Sequence, residues 1–185
     1  MQTKLTQFFK KNTLDKTSTV LNKNNIIINT NLNQKKNITI YTDGACKNNG
    51  KKNAIAGIGV YCENMYNISE KIEGKQTNQR AELYAILKAL ELTKINDYNN
   101  VYIYTDSLYS INCITKWIYG WINNGWLDKK KKSIKNKDII QQIYNIYKKY
   151  SNIHFIHIEA HTNKTDIHSL GNALADQLAT QSIQF

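Results

Sequence analysis

The amino-acid sequence predicts an α/β fold in which a five-stranded mixed sheet is flanked by helices. Short runs rich in β-branched and aromatic residues alternate with longer segments whose apolar residues recur at helical spacing. These elements follow one another in the order β-β-β-α-β-α-α-β-α, which is typical of helices packed on a sheet. We expect three antiparallel strands, followed by parallel strands.

The first three strands are expected at residues 37–42, 55–62 and 66–73, where short connections favour two successive hairpins. Residues 79–92 carry apolar side chains at helical spacing and predict the longest helix. The remaining elements are expected at 101–105 (strand), 107–122 (helix, broken near Gly120), 138–150 (helix), 153–158 (strand) and 170–181 (helix).

Residues 1–36 differ in composition from the rest of the chain. They contain seven Lys and one acid, Asp15, which leaves a charge of +6, and they are rich in Asn and Thr. Such a segment buries too little apolar surface to fold alone. We therefore expect a short peptide motif at residues 1–9, a disordered basic linker at 10–36 and one folded domain at 37–185.

The whole chain has a formal net charge of +11 and a pI of about 9.4. A protein this basic commonly binds a polyanion, above all nucleic acid. An A/T-rich genome would also explain the excess of Lys, but not where the lysines cluster. The three cysteines lack C-x-x-C spacing, which fits a reducing compartment. We see no secretory signal or membrane span and expect an intracellular protein.

Four acids stand where the predicted elements could bring them together. Asp43 and Asp106 each follow a β-rich run and are expected at the ends of adjacent central strands. Glu82 is expected in the first turn of the longest helix, and Asp176 lies inside the last one. Carboxylates this close repel one another unless a cation lies between them, and Mg²⁺ prefers oxygen ligands. Taken alone, each acid is better explained as a strand-end or helix-cap residue than as a metal ligand.

The motifs around these acids resemble those of the cellular (type 1) ribonuclease H family over residues 37–182. The segments that carry the resemblance include YTDGACKNNG (41–50), KQTNQRAELYAI (75–86), YTDSLYSINCITKWIYGWINNGW (104–126) and GNALADQLA (171–179). The resemblance implies a ribonuclease H-like fold and endonucleolytic cleavage of the RNA strand of an RNA–DNA hybrid. It also implies that two Mg²⁺ ions, or Mn²⁺, are bound by Asp43, Glu82, Asp106 and Asp176. Two-metal hydrolysis would leave 5′-phosphate and 3′-hydroxyl ends.

The family also carries a mobile His after its fifth strand, which is thought to assist product release or proton transfer. His161 matches this position. The sequence departs from the family here, because the segment from His161 to Asn172 is about five residues longer than usual and Ala173 replaces the usual Glu. His168 lies inside this longer segment and is a second candidate, although we expect it to be an exposed loop residue.

The resemblance implies contacts to both strands of the hybrid. Contacts to the RNA sugars, where the 2′-hydroxyl distinguishes RNA from DNA, are implied for Asn49, Asn78 and Gln79. A pocket for a DNA phosphate is implied for Lys75, Thr77 and Asn136. Lys75 stands where the family often has Arg, so a single point charge replaces a bidentate group.

Tryptophans and lysines are interleaved in the segment that follows Asp106. Trp117 and Trp121 are four residues apart on one helical face, Trp126 follows, and residues 129–132 are all Lys. Aromatic rings and lysines in this pattern suit contact with the sugars and phosphates of the DNA strand. The alternatives are that the tryptophans belong to the core and that the lysine run is a solvated loop.

The N-terminal residues read Q-x-x-L-x-x-F-F, with Gln2, Leu5, Phe8 and Phe9 at the defining positions. This motif resembles the peptide box that binds sliding clamps of the PCNA kind. One helical turn would bring Leu5, Phe8 and Phe9 to one side as an apolar plug. The alternative is that this segment packs back on the domain. We expect a monomeric protein. Clamp binding implies a location at DNA replication sites, in a nucleus or, if the source is viral, in a viral replication compartment.

Two other functions fit the same fold. A junction resolvase or another DNA-cutting relative would share the acids, but the TNQRAEL motif and the tryptophan segment argue against it. A clamp-tethered binder of hybrids without catalytic activity would have no reason to keep four carboxylates that repel one another.

Overall fold

The computed structural model describes residues 35–63, 65–160 and 164–184. One sheet has the strand order β3-β2-β1-β4-β5. The strands are β1 (Lys36–Lys47), β2 (Ile55–Cys62), β3 (Tyr66–Lys71), β4 (Tyr98–Thr105) and β5 (Ile153–His157). β1, β2 and β3 pair antiparallel, whereas β4 and β5 pair in parallel. The predicted mixed five-stranded sheet is therefore confirmed.

The helices also follow the predicted order, with one change. They are α1 (Asn78–Leu92), α2 (Leu108–Asn112), α3 (Ile118–Asn123), α4 (Lys137–Tyr147) and α5 (Ile167–Ser182), with a 3-10 turn at Ile95–Asp97. A π-helical segment, Cys113–Trp117, joins α2 to α3. No helix in the described ranges is both long enough and apolar enough to cross a membrane.

The expected helix break near Gly120 was wrong. Gly120 lies inside α3 with open space beside it, so nothing there forces the helix to end. The irregularity is the π-helical segment Cys113–Trp117. Within it, the Thr115 hydroxyl donates to the Ile111 carbonyl at 2.8 Å, a bond that competes with the regular helical ladder.

A single apolar cluster fills the space between the sheet and helices α1 and α4. Its fully buried members include Ile40, Ile58, Val60 and Ile103 from the strands, Leu83, Ile86 and Leu90 from α1, and Ile139, Ile140 and Ile143 from α4. Burying a side chain of this size contributes about 1.5–3 kcal/mol. The cluster thus holds α1 against the sheet, and α1 carries one of the predicted acids.

Helix α5 packs against β2 at positions where that strand has no side chains. A Cβ added to Gly59 would lie 1.9 Å from the Ala175 carbonyl oxygen, and one added to Gly57 would collide with Ser182. These glycines alternate with Ile58 and Val60 of the core, so α5 lies on the opposite face of the sheet. Helix and strand backbones therefore approach closely along the second half of α5.

Candidate active site

Asp43 lies inside β1 and not at its end, so the predicted strand boundary was wrong. The strand continues because Ala45, Cys46 and Lys47 still pair with β2. Asp43 is opposite Gly59 of β2, and β4 lies on the other side of β1. The backbone of Asp43 is thus held between two neighbouring strands, and its side chain is only 6% exposed.

Asp106 directly follows the last residue of β4, as predicted. Glu82 was expected in the first turn of α1, but that helix begins at Asn78 and has no acid in its first turn. The helix approaches β1 so closely that a Cβ on Gly44 would lie 2.3 Å from the Glu82 backbone nitrogen. Because Gly44 has no side chain, α1 can approach β1 closely, and Glu82 lies beside Asp43.

The four predicted acids meet in one cleft. Carboxylate oxygens of Asp43, Glu82 and Asp106 all lie within 4.8 Å of one another. Asp176 on α5 lines the same cleft, which has a volume of about 550 Å³, and its charge helps to raise the pKa of Asp43. Four separate elements therefore contribute one acid each.

The electrostatics of this cleft suit a divalent cation. Burial raises the pKa of Asp43 to about 8, and the charges of Asp106 and Asp176 add to this rise. Burial and the neighbouring Asp43 and Asp106 also raise the pKa of Glu82 well above its ordinary value. The buried Oε2 of Glu82 has no hydrogen-bond partner within the described part of the chain. A cation would compensate for the repulsion and give this oxygen a ligand, so these residues fit a metal site.

Of the residues predicted to contact RNA sugars, Asn78 and Gln79 begin α1, and Asn49 lies in the turn after β1. The Asn78 backbone N–H donates to Asn49 Oδ1 at 3.3 Å, and the Asn78 side-chain amide donates to Glu82 Oε1 at 3.3 Å. Asn78 and the exposed Gln79 both line the acidic cleft. Asn78 thus links the predicted sugar contacts to one of the four acids.

The residues predicted for a DNA phosphate pocket lie where two helices begin. Thr77 and Asn136 directly precede α1 and α4, and Lys75 is exposed two residues before Thr77. Both terminal nitrogens of the Arg80 guanidinium donate to the carboxylate oxygens of Asp138, at 3.0 and 2.6 Å. This ion pair lowers the pKa of Asp138. The ion pair holds the first turns of α1 and α4 together.

Aromatic rings form a row that begins in the acidic cleft. Trp117 is 44% exposed, so a core role for it is wrong, whereas Trp121 and Trp126 pack partly on the core. Neighbouring ring centroids lie 5.9 Å apart from Trp117 to Trp121 and 6.5 Å apart from Trp121 to Trp126. Tyr109, which the sequence analysis missed, lines the cleft and lies 6.0 Å from Trp117. Its spacing of eight residues from Trp117, about two helical turns, was the available signal.

The four lysines at 129–132 are exposed and form a tight turn. The backbone N–H groups of Lys130 and Lys132 both donate to Asp128 Oδ1 at 2.8 Å, and Leu127 pairs with Ser133 across the turn. The one nearby acid is therefore occupied by backbone donors. The positive side chains are left to project from a compact loop.

The structure describes the positions of His157 and His168 but not that of His161. His161 lies outside the described residues, as do the peptide box at 1–9 and nearly all of the linker at 10–36. His168 is not an exposed loop residue as expected, because it lies half-buried in the first turn of α5. His157, at the end of β5, donates from Nε2 to the backbone carbonyl of Asp106 at 3.1 Å.

Comparisons with known proteins agree with this architecture. The RNase H family model matches residues 35–184. Ribonuclease H1 of Rattus norvegicus is 38% identical over 146 residues, which are 78% of this chain and 49% of that protein. The probable ribonuclease H of Acanthamoeba polyphaga mimivirus is 44% identical over 140 residues, 72% of this chain and 61% of that protein. The chain therefore belongs to the RNase H family, and it spans about half the length of the rat relative.

A solved structure extends the likeness to three dimensions. The foamy viral protease-reverse transcriptase in complex with an RNA/DNA hybrid superimposes with a TM-score of 0.66 at 26% identity. The match covers 91% of this chain and 23% of that protein.

Proposed function

We propose that this chain is a magnesium-dependent endonuclease that hydrolyses the RNA strand of RNA–DNA hybrids. The observation that carries the proposal is the meeting of Asp43, Glu82 and Asp106 within 4.8 Å, with Asp176 in the same cleft. Membership of the RNase H family supports it. So does the likeness to a reverse transcriptase that was solved with an RNA/DNA hybrid.

The four acids would hold two Mg²⁺ ions, or Mn²⁺. Such ions lower the pKa of an attacking water and stabilise the leaving 3′-oxygen, which leaves 5′-phosphate and 3′-hydroxyl ends. Asp43 is the most central acid, because the charges of Asp106 and Asp176 raise its own pKa and its charge raises that of Glu82. We assign to Asp43 the central role among the four acids that would hold the metal ions.

The surroundings of the acids suit the two strands of a hybrid. Asn49, Asn78 and Gln79 would bind RNA sugars beside Glu82, where the 2′-hydroxyl is the feature that DNA lacks. On the other strand, Lys75, Thr77 and Asn136 would bind a phosphate. Trp117 and Trp121 would contact the sugars, and Tyr109 extends this row into the cleft. We assign proton transfer or product release to His161, which follows β5.

The direct test uses labelled substrates of the same length: an RNA–DNA hybrid, a DNA duplex and an RNA duplex, each with Mg²⁺ or EDTA. We expect cleavage of the hybrid RNA strand in Mg²⁺ only. Asp106→Asn removes a charged ligand, so it should lower turnover by about a thousandfold or more while the fold is kept. Circular dichroism of the variant checks the fold.

Each contrary result points to a different function. Cleavage of the DNA duplex would favour a DNA-cutting relative, and tight hybrid binding without cleavage would favour a binding module. Near wild-type turnover by Asp106→Asn would exclude the assignment of the acids.

We further propose that residues 1–9 bind a sliding clamp of the PCNA kind and bring a monomeric enzyme to replication sites. The support is the sequence match at Gln2, Leu5, Phe8 and Phe9. Removing both rings with Phe8→Ala/Phe9→Ala removes most of the apolar plug, so we expect at least a tenfold loss of affinity, about 1.4 kcal/mol or more. Calorimetry with purified clamp measures it.

The matched control is Thr3→Ala/Thr6→Ala, which changes two positions that the motif leaves free. Equal affinities for the wild type and the double Phe variant would exclude clamp binding through this box. An equal loss in both double variants would show that the binding does not depend on the motif.

A further inference from the structure

His168 lies between two tyrosines that belong to different strands. Its Nδ1 is 3.1 Å from the Tyr41 hydroxyl, and its Nε2 is 3.4 Å from the Tyr104 hydroxyl. The imidazole is stacked on the Tyr104 ring, with centroids 4.3 Å apart and an angle of 15° between the planes. His168 therefore contacts β1 and β4 at the same time.

The two contacts differ in kind. The ring nitrogens of His168 form hydrogen bonds in the plane of the imidazole. The Tyr104 ring lies nearly parallel to that plane at 4.3 Å, so Tyr104 contacts His168 mainly by ring stacking. The shorter bond to Tyr41 is the directional one. Tyr41 is only 4% exposed, and its phenol carries one O–H donor. Tyr41 can therefore donate to Nδ1.

The backbone of His168 is held as well. Asp166 caps α5, and its Oδ1 accepts from the backbone N–H groups of His168 and Ser169 at 3.1 Å each. One turn further along the helix, Gly171 lies against the Tyr41 ring so closely that a Cβ would be 2.4 Å from it. The first turns of α5 thus pack against the Tyr41 side chain.

These contacts connect three of the four acid-bearing elements. Tyr41 is two residues before Asp43 on β1, so both side chains point to the same face of the sheet. Tyr104 precedes Asp106 by two residues, and His168 precedes Asp176 on α5 by about two helical turns. A shift of His168 would therefore move Asp176 relative to Asp43 and Asp106.

We propose that His168 is a positioning residue, which sets the place of Asp176 against Asp43 and Asp106 and thereby strengthens binding of divalent cations. The proposal rests on the metal-binding part of the proposed function. It does not make His168 a catalytic residue, because His168 is not among the residues that line the acidic cleft.

The chain offers a matched control in His154. This residue stacks on Tyr102 with centroids 5.2 Å apart, and its Nε2 is 3.0 Å from Asn100 Oδ1. It thus makes a similar ring contact and hydrogen bond on β4 and β5, but it holds no element that carries Asp176. A purely structural His–Tyr pair should behave alike at both sites.

Calorimetric titration with Mg²⁺ of the wild type, His168→Ala, His168→Asn and His154→Ala tests the proposal. Residues that orient metal ligands change metal affinity by about 10–100-fold, so we expect His168→Ala to weaken Mg²⁺ binding about tenfold. His168→Asn keeps an acceptor near the position of Nδ1 and should recover part of the loss. His154→Ala should leave Mg²⁺ affinity unchanged, and thermal unfolding checks that each variant folds.

Wild-type Mg²⁺ affinity in folded His168→Ala would overturn the proposal, as would an equal loss in His154→Ala. If His168→Ala does not fold, Tyr41→Phe removes the same hydrogen bond and keeps the ring. Weaker Mg²⁺ binding by that variant would then support the proposal, and unchanged binding would overturn it. A wild-type protein that binds Mg²⁺ but cleaves no hybrid would contradict the proposed function alone, since calorimetry still decides the role of His168.

Discussion

At the scale of single residues, Asp43 combines burial with close carboxylate neighbours. It is buried to 6% exposure, fixed by neighbouring strands on both sides, and its pKa is raised to about 8. In neutral solution without a cation, this side chain therefore carries a proton for much of the time. Binding of a divalent cation must displace that proton, which couples cation affinity to pH.

This coupling predicts how the stability of the metal-free protein changes with pH. The ordinary pKa of 3.8 applies in the unfolded chain and a pKa of about 8 in the folded one, so the folded form binds more protons between these values. The contribution of Asp43 to stability therefore falls as pH rises. In EDTA, we expect the Tm to fall between about pH 6 and about pH 8, and saturating Mg²⁺ to remove most of this fall.

Asp43→Asn is the control for this prediction, since an amide does not titrate. Differential scanning calorimetry of both proteins isolates the part that Asp43 contributes, and any slope left in the variant belongs to other groups such as Glu82. If the two proteins showed the same pH dependence in EDTA, the burial of Asp43 would not have this consequence.

That four acids line one cleft was predictable from the sequence, but their local settings were not. Their identities follow from motifs such as YTDG and TNQRAEL, which are short and local. That Asp43 is in mid-strand depends on pairing with β2, and that His168 is half-buried depends on Tyr41 and Tyr104. Both facts arise from contacts between distant parts of the chain, which local patterns do not contain.

At the scale of elements, α1 can approach β1 closely because Gly44 on β1 has no side chain. Gly44→Ala would place a methyl group 2.3 Å from the Glu82 backbone nitrogen, so the helix must move outward. Overpacking of this kind costs about 1–3 kcal/mol. We expect a lower Tm together with weaker Mg²⁺ binding, because Glu82 moves away from Asp43.

Gly120→Ala is the matched control, since Gly120 lies in helix α3 with nothing within 4 Å of the added carbon. It should leave Mg²⁺ binding unchanged and raise stability by about 0.5–1 kcal/mol. Urea denaturation and Mg²⁺ calorimetry compare the two variants. Equal Mg²⁺ affinity in Gly44→Ala and the wild type would show that the close approach of α1 does not position Glu82.

Element types and their order were predictable because apolar periodicity is strong in strands such as Ile55–Cys62 and in α1. The π-helical segment Cys113–Trp117 was not. The segment continues the helical apolar pattern and contains neither proline nor glycine. The nearby Gly120 led us to expect the helix irregularity at the wrong residue. Backbone irregularities of this kind depend on how buried neighbours such as Ile114 and Ile118 pack against the core.

At the scale of the whole molecule, the chain carries a net charge of +11, whereas four acids line the cleft. Phosphate contacts by lysines release counterions, so hybrid affinity should fall steeply with salt. We expect Lys130→Gln/Lys131→Gln to reduce the slope of log affinity against log salt by about 1–2. Fluorescence anisotropy with labelled hybrid in Ca²⁺ or EDTA measures binding without cleavage.

Lys94→Gln/Lys149→Gln removes the same charge from two other exposed positions and serves as the control. It should change the slope less than the change in the lysine turn does. An equal effect of both pairs would mean that the net charge of the protein, and not the turn at 129–132, governs hybrid binding.

The four acids come from β1, α1, the end of β4 and α5, and these elements span most of the described chain. No single hairpin or helix pair contains the full set. A divalent cation bound at the proposed site would therefore stabilise only the completely folded domain. Any partial opening that detaches α5 from the sheet would separate the four acids. Cation binding at the proposed metal site would therefore show that the first strand and the last helix have both reached their native positions.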